Sequence, residues 1–580
     1  MSPEKLSPNE PIENLAIGTI IEVDGTHIVA ELDSRILELS RVFAGDVYPI
    51  GQFGSIVKIH FGRRLIYGYV SRLRMKSEYE REKGIIESNP STARIIEADL
   101  FGEGEWIFSG EAPSKNWHLY FERGVSNFPL PQQIIYLTPK SELRFIYGQN
   151  QGSIIQIGEH VGSGGAPCYA DMNELLGKHT AVLGSTGSGK SGSVAAILHA
   201  ILERGSTEKY PKWNPCIVIL DPHNEYGEAF PDHKRLSTDE GTLKLPYWLF
   251  NLQETTDLLI GKTEFTATSQ SNIVKTALLK ARMAAAEALT LNPENLPLDS
   301  PVPYSLEVFK AEVDGQRPLG NDKKEQKPFN SVINKLEVLQ RDPRMHFMME
   351  SWDESGDPFS EIISQFFGDG EHVKIVDLSG VPNEVAGVAS AVIARTLFSI
   401  KLWQTPEERK QTPILLVCEE AHRYVPNRGE AQYEAAQEAI RRLAKEGRKY
   451  GIGLMLISQR PSEVEATVLS QCNSWIVLRI ANDSDREHVR SILPDSLAGL
   501  TRVLSGLRRR EAVFVGQATT LPSRILIRDL PPEKLPRSHD IDFDKGWQND
   551  PLDDDHLREI GNRWRMQNRQ TSDKSKDSRE

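Results

Sequence analysis

The sequence predicts an α/β core built on a parallel sheet, with a small all-β domain before it and helices inserted within it. Three observations carry this expectation. From about residue 170 onward, the apolar runs HTAVLG, CIVILD, VKIVDL, PILLVCEE, IGLMLISQ, SWIVLRI and AVFVG alternate with helical periodicity. Continuous β-rich runs are what strands buried on both faces of a parallel sheet require. The region before them is strand-like with turn glycines, and residues 252–366 read as helical.

Taken in order, residues 1–12 are rich in proline and charge and are expected to be mobile. IGTIIEVDGTHIVAEL alternates apolar and polar residues around Asp24-Gly25, a hairpin signal. VYPIGQFGSIVKIHFGRRLIYGYVSRL, ARIIEADLFG and QQIIYLTP continue the pattern. Residues 1–165 therefore read as an antiparallel barrel or sandwich, with the glycine-rich run VGSGGAP (161–167) as the linker out of it. The core divides into 166–251 and 367–530, around a helical insertion at 252–366 whose two helical stretches are separated by the proline-rich 293–303. A polar tail, 531–580, contains one short helix at DDHLREIGNRWRMQ and ends in TSDKSKDSRE, expected to be disordered.

Composition bounds the class. The chain has 580 residues, 39% hydrophobic and 26% charged, enough to bury sizeable cores. No run approaches the ~18 apolar residues of a membrane span, and the N-terminus lacks the apolar stretch of a signal peptide. Four cysteines, none in a CxxC pair, suggest neither a zinc site nor a disulfide framework. The expectation is a reduced, cytoplasmic protein. The net charge of −13, from 68 Lys+Arg against 81 Asp+Glu, argues against a surface coated for nucleic acid. It leaves room for a local basic stripe.

The strongest motif is Gly184-Ser185-Thr186-Gly187-Ser188-Gly189-Lys190-Ser191, which fits G-x-x-x-x-G-K-[ST]. The strand Ala181-Val182-Leu183 runs into it. A helix from Ser191 to about Arg204 follows, with Val194, Ile197, Leu198, Ile201 and Leu202 on one face. Glycines let backbone N–H groups converge on phosphate oxygens, and the helix N-terminus adds a favourable dipole. The loop, Gly184 through Gly192, is the candidate ATP-phosphate cradle. Lys190 is placed to reach the β- and γ-phosphates and Ser191 to ligate Mg²⁺.

Hydrolysis needs more than a cradle. Pro413 to Val417 is a buried strand ending in Cys418-Glu419-Glu420-Ala421-His422, the Walker B form. Glu419 is the candidate metal-side carboxylate and Glu420 the candidate to polarise the attacking water. An acidic helix cap is the plainer alternative. Asp221 and Glu225, in Asp221-Pro222-His223-Asn224-Glu225-Tyr226, follow a second strand, and strand-end acids of open α/β sheets lie at the ligand edge. Asp-Pro also favours a simple turn. Gln459 follows the strand Gly453 to Ser458, where an amide can sense the γ-phosphate or the water. AIRRLAKEGRKY (439–450) holds Arg441, Arg442, Lys445, Arg448 and Lys449. Gly447 suggests that the helix ends there, leaving Arg448 and Lys449 on a loop from which an arginine can reach a neighbouring subunit's nucleotide. Arg508-Arg509-Arg510 is a second basic cluster, and the sequence does not decide between the two.

With LGSTGSGKS (183–191), LDPHNEY (220–226), LPYWLFN (245–251), IVDLSG (375–380), VCEEAHRYVP (417–426), EGRKYGIGLMLISQRPSEV (446–464) and Gln471-Cys472-Asn473 leading into VLRIANDSDRE in this order, the chain resembles the HerA family of hexameric DNA translocases, relatives of the FtsK pumps. The resemblance implies a RecA-like P-loop NTPase core with an N-terminal β-barrel domain and a helical insertion. It implies ATP hydrolysis with Mg²⁺, catalytic Lys190, Glu420 and Asp221, Arg448 as an arginine finger acting across subunits, and Gln459 as sensor. Aspartate is usual where Glu419 stands. The implied partners are five further copies in a homohexamer, double-stranded DNA through the pore, and a separate effector on the barrel. That effector is a NurA-type nuclease in DNA end resection, or a nuclease or sirtuin-like NADase in antiphage defence. A ring that uses ATP binding only to scaffold an effector is the second reading. A nucleotide kinase lacks support, since no small-substrate lid pattern appears. In a ring, only the channel-facing loops need be basic.

Overall fold

The computed structural model describes residues 10–567, except 37, 53, 86–90, 110–115, 149–152, 162–164, 207–211, 261–266, 320–321, 369, 382, 428–433, 494–500, 502, 538–540 and 550. The expected mobility of the first residues and disorder of the last ones therefore fall largely outside the described residues. The chain forms two compact units, one of Met1–Arg204, Ser458–Ser462 and Cys472–Leu530, the other of Gly205–Ile457, Glu463–Gln471 and Pro531–Glu580.

The first unit opens with strands β1 (Ala16–Asp24), β2 (His27–Leu32), β3 (Ser40–Phe43), β4 (Asp46–Pro49), β5 (Ile56–Phe61), β6 (Arg64–Met75), β7 (Arg94–Ser109), β8 (Asn116–Arg123) and β9 (Ile134–Leu137). Six of them pair in the order β2-β1-β9-β5-β6-β7, and β2 pairs back to β7, so the sheet closes into a barrel. Closure removes the open strand edges that invite aggregation. Asp24 pairs with His27 across the expected hairpin, with Gly25 in the left-handed region at φ 57°. Alternation sends Ile17, Ile28, Val57, Ile59, Ile66, Val70, Ile96 and Ile135 into one apolar core.

Core strands follow: β10 (Ile154–His160), β11 (Ala166–Asp171), β12 (Thr180–Leu183), β13 (Cys216–Asp221), β14 (Lys234–Ser237), β15 (Val373–Asp377), β16 (Ile414–Cys418), β17 (Ile452–Ser458), β18 (Ser474–Val477), β19 (Glu511–Gly516) and β20 (Ser523–Ile527). The first unit orders them β11-β10-β20-β19-β18-β12, and the second β17-β16-β13-β15-β14. All pairs in the second unit are parallel. In the first unit only β12–β18 is parallel, while β19 runs antiparallel to β18 and β20. AVFVG was expected in a parallel sheet. A strand buried on both faces reads the same in either direction, so composition could not decide this.

The boundary expected at 165 falls earlier. The last barrel strand ends at Leu137, and β10 pairs with β20 and β11. The last two residues of VGSGGAP, Ala166 and Pro167, open β11 and pair with β10, and residues 162–164 lie outside the described residues. Within the first unit the barrel is tied to the core strands by Arg123, which donates to the carbonyls of Thr520 at 2.7 Å and Gly516 at 3.0 Å. Lys58 reaches Glu142 at 2.6 Å between the barrel and the helix Lys140–Gly148, with both side chains buried.

In the second unit, residues 252–366 carry the helices Leu252–Leu259, Ala267–Ala286, Leu306–Gly315 and Lys323–Arg341, and the helix Phe359–Phe367 begins there. Asn251 and Glu254 form a capping box at the first of these. Fully buried Arg282 donates to the carbonyls of Trp248 at 3.2 Å and Phe250 at 2.6 Å, binding the insertion to the LPYWLFN segment. The helix Asn383–Trp403 contains a stretch, Val385–Trp403, apolar and long enough to cross a membrane, but 72% of it is buried within the protein, as a core helix requires. The tail forms the expected helix, Asp554–Met566.

Candidate functional site

The phosphate loop is built in the first unit. β12 is buried along its whole length and pairs in parallel with β18, so it delivers the loop at the C-terminal edge of both strands. Backbone bonds then fix the turn: Gly184 N–H donates to Ser458 O at 3.2 Å, Ser185 N–H to Arg479 O at 2.9 Å, and Ser188 N–H to Ser185 O at 3.1 Å. Gly187 and Gly189 take φ of 74° and 91°, a region L-residues avoid. A Cβ on Gly189 would also meet the Arg510 nitrogen at 3.1 Å.

Gly189 caps the helix Lys190–Glu203, and Lys190 is its first residue, 5% exposed. The helix is not one-faced as the periodicity suggested. Ser193 through Ile201 are all buried, because it packs on β10 and β12 and is held by Arg528, which reaches Ala196 O at 3.2 Å and Glu203 at 2.7 Å.

These residues fit a bound triphosphate. The loop amides and the helix N-terminus converge on one space, and the glycines leave no side chain in it. The Ser188 hydroxyl is buried without a hydrogen-bond partner among the described residues. Exposed Thr186 donates its hydroxyl to the Gln459 side-chain oxygen, so the amide expected to sense phosphate touches the loop itself.

Two arginine positions against this loop went unassigned in the sequence. Arg479, directly after β18, accepts Ser185 N–H and donates to Gly187 O at 3.4 Å. Arg510 donates its backbone N–H to Ser188 O at 2.9 Å, takes φ of 64°, and pairs with Asp529 at 2.6 Å. The Arg508–Arg510 cluster thus packs behind the phosphate loop. Its place just before β19 was the only available signal.

The strand-end acids belong to the second unit. β13 sits between β15 and β16, with Leu220 opposite Cys418 and Asp221 opposite Asp377. Asp221 is fully buried and accepts the N–H groups of His223 at 3.2 Å and Tyr226 at 2.9 Å. Burial outweighs those bonds and pushes its carboxyl up to about 6, so it is still ionised at neutral pH. Its raised value costs stability as pH rises from 3.8 to about 6, because the folded form holds the proton more tightly than the unfolded chain.

Glu419, 2% exposed, accepts the Tyr226 hydroxyl at 2.8 Å. Glu420, the second residue past the end of β16, has φ and ψ both 52°. A non-glycine residue there stores strain of about 1–3 kcal/mol, which functional sites often hold. Its carboxylate is 3% exposed and lies 3.2 Å from His422 Nδ1. His223 and Arg423 meet at 3.2 Å beside these groups. Glu225 accepts Arg537 N–H through its backbone carbonyl at 3.1 Å. Among the described residues, no group of three or more His, Cys, Asp or Glu forms a ready metal cluster.

The helix Glu434–Glu446 ends where Gly447 suggested, in a short turn Gly447–Tyr450. Arg441 is taken by Glu465 at 2.7 Å, and Arg442 lies 4.4 Å from the centre of the Phe398 ring. Tyr450 packs edge-on against Phe398 at 5.1 Å and pins the turn. Arg448 and Lys449 are left exposed on it, with no ion pair among the described residues.

Residues 155–397 match the family model described as "Helicase HerA, central domain". The chain is 28% identical over 390 residues to the DNA double-strand break repair helicase HerA of Saccharolobus solfataricus, covering 67% of this chain and 70% of that protein. A probable helicase of Methanocaldococcus jannaschii is 22% identical over 432 residues, 74% of this chain and 77% of that one. The VirB4 structure of Thermoanaerobacter pseudethanolicus overlays with a TM-score of 0.46 at 16% identity, over 66% of this chain and 98% of that one. Over residues 155–397 the chain is thus similar to the HerA helicases, and it is an ATPase.

Proposed function

We propose that the chain hydrolyses ATP at the interfaces of a homohexameric ring and uses the energy to move double-stranded DNA through the central pore. The observation that carries this reading is the Thr186–Gln459 hydrogen bond, which joins the phosphate loop to the amide at the next strand end. Lys190 and the loop amides, Gly184 to Gly192, hold the phosphates. Ser191 and Glu419 are the residues that would hold Mg²⁺, which would supply neutralisation of the phosphate charge. Glu420 orients the water that attacks the γ-phosphorus and takes its proton, and His422 beside it steadies the carboxylate. Asp221 and Glu225 support this acidic edge. The bond to the β-phosphate oxygen breaks, releasing ADP and phosphate. Gln459 reports the loss of the γ-phosphate, and Arg448 completes the nucleotide site of the neighbouring subunit.

The relatives' names supply the DNA context, since several are break-repair helicases. A separate nuclease or defence effector docked on the β2-β1-β9-β5-β6-β7 barrel completes the assembly. The test is steady-state phosphate release with and without duplex DNA, for the native chain and Lys190→Ala. The motor reading expects DNA to raise the native rate and Lys190→Ala to abolish it. Turnover by Lys190→Ala contradicts the site. A native rate unmoved by DNA contradicts the motor.

A further inference from the structure

We infer that Asp485 is a positioning residue for ATP turnover, holding Gln459 in register with the phosphate loop through Ser462. The inference rests on the assignment of Gln459 as sensor. Its basis is a closed ring of contacts within the first unit. Two adjacent loop residues grip two different segments. Thr186 holds Gln459, while Ser185 donates its N–H to Arg479 O at 2.9 Å and accepts Ala481 N–H on its hydroxyl at 3.1 Å. The segment after Gln459 and the segment after Ala481 then meet again at Asp485.

That meeting point is specific. Pro461 opens a short turn, Pro461–Glu463, immediately past the sensor. Ser462 directs both its N–H, at 3.1 Å, and its hydroxyl, at 2.6 Å, to one oxygen of Asp485. Asp485 is 6% exposed and sits in the first turn of the helix Asp483–Ile492. Asn482 already caps that helix by accepting Ser484 N–H, so Asp485 is not needed as its cap. Arg486 donates to the carbonyls of Ile480 at 3.2 Å and Ala481 at 2.6 Å, stiffening the chain between Asp485 and Ser185.

A phosphate group entering the loop competes for the Thr186 hydroxyl and the Gln459 amide. The Ser462–Asp485 bonds decide how far Gln459 then moves, because they tether it to the same helix entrance that holds Ser185. A misplacement of about 1 Å at a reacting centre can cost about 100-fold in rate. Loss of the tether therefore lowers turnover while leaving the loop's grip on the nucleotide intact.

The test is steady-state phosphate release by the full chain for Asp485→Ala, Asp485→Asn, Gln459→Ala and the double variant Asp485→Ala/Gln459→Ala. Asp485→Ala is expected to lower kcat by about 10- to 100-fold with KM for ATP within about twofold, the split expected when only transition-state positioning is lost. Asp485→Asn keeps an oxygen that accepts both bonds and should restore most of the rate. The double variant should be no slower than Gln459→Ala alone, because residues acting through one another are not additive. Should Asp485→Ala fail to fold, Ser462→Ala removes the shorter bond from the other side and is judged by the same split. An unchanged kcat, or losses that multiply in the double variant, overturns the inference. A native rate in Gln459→Ala overturns the sensor assignment itself, and a slow Asp485→Ala beside it shows that Asp485 acts by another route.

Discussion

The Tyr226 hydroxyl donates to the Glu419 carboxylate at 2.8 Å, with both residues at most 2% exposed. The phenol comes from the loop after β13 and the carboxylate from the end of β16, so one bond fixes two strand-end segments to each other. An ionised group taken out of water is costly unless its lone pairs are satisfied. Burial and the neighbouring carboxylates of Glu419, Asp221 and Glu225 hold the Tyr226 hydroxyl well above its ordinary value, which keeps it a donor. The carboxylate is thereby held in one orientation.

Removing that bond should show in metal dependence. Tyr226→Phe deletes the hydroxyl while keeping the ring. Groups that orient metal ligands typically contribute about 10-fold or more in affinity, so the Mg²⁺ concentration giving half-maximal phosphate release should rise by about that factor. Stability in denaturant should fall by about 1–2 kcal/mol for the unpaired carboxylate. An unchanged Mg²⁺ titration would mean that Glu419 is not a metal ligand.

Glu420 offers a separation of strain from chemistry. Glu420→Gln keeps the shape and should retain nucleotide binding while losing hydrolysis by about 100-fold or more, the range of a positioned general base. Glu420→Gly relieves the left-handed backbone. It should hydrolyse no better, yet match or exceed the native chain in denaturant midpoint, by up to about 1 kcal/mol. A large loss of stability in Glu420→Gly would show that the His422 contact, and not catalysis, is what the residue supplies.

His160 makes the first unit acid-sensitive. Its ring stacks on Tyr147 with centroids 3.6 Å apart, and burial lowers its pKa from 6.5 to about 3. The folded chain thus keeps it neutral where the unfolded chain would charge it. Its contribution is fully present above pH 6.5 and is lost progressively as pH falls from there toward 3. His160→Phe keeps a stacked ring without a proton site. Between pH 6.5 and 4 it should lose less stability than the native chain, read by denaturant titration at each pH. Parallel curves would contradict the assignment.

Much of this was legible in sequence because the motifs are local. The phosphate loop needs its glycines in one run, and the buried strands β12, β13, β15, β16 and β17 announce themselves by unbroken apolar composition. What escaped depends on pairing between distant segments. Strand direction at β19 leaves no trace in a strand buried on both sides. The short strand β14, Lys-Arg-Leu-Ser, carries too little apolar pattern to stand out. β10 read as part of the barrel because an antiparallel strand looks alike wherever it docks. Tyr226 and His422 were present in quoted motifs, but their partners Glu419 and Glu420 became visible only once the strand ends were brought together. Arg479 and Asp485 stand within the quoted VLRIANDSDRE run, but nothing in that run singles them out, and their significance lies in what folds against them.

If each nucleotide site is completed by the next subunit's Arg448, then mixing two inactive variants, Lys190→Ala and Arg448→Ala, should restore activity. In a mixed ring, a subunit carrying Arg448→Ala still has an intact phosphate loop, and its Lys190→Ala neighbour still has an intact Arg448. Each variant alone should be inactive, and mixed rings should regain phosphate release in proportion to the number of complementing interfaces. Absence of activity at every mixing ratio, with mixed rings verified by mass, would contradict it.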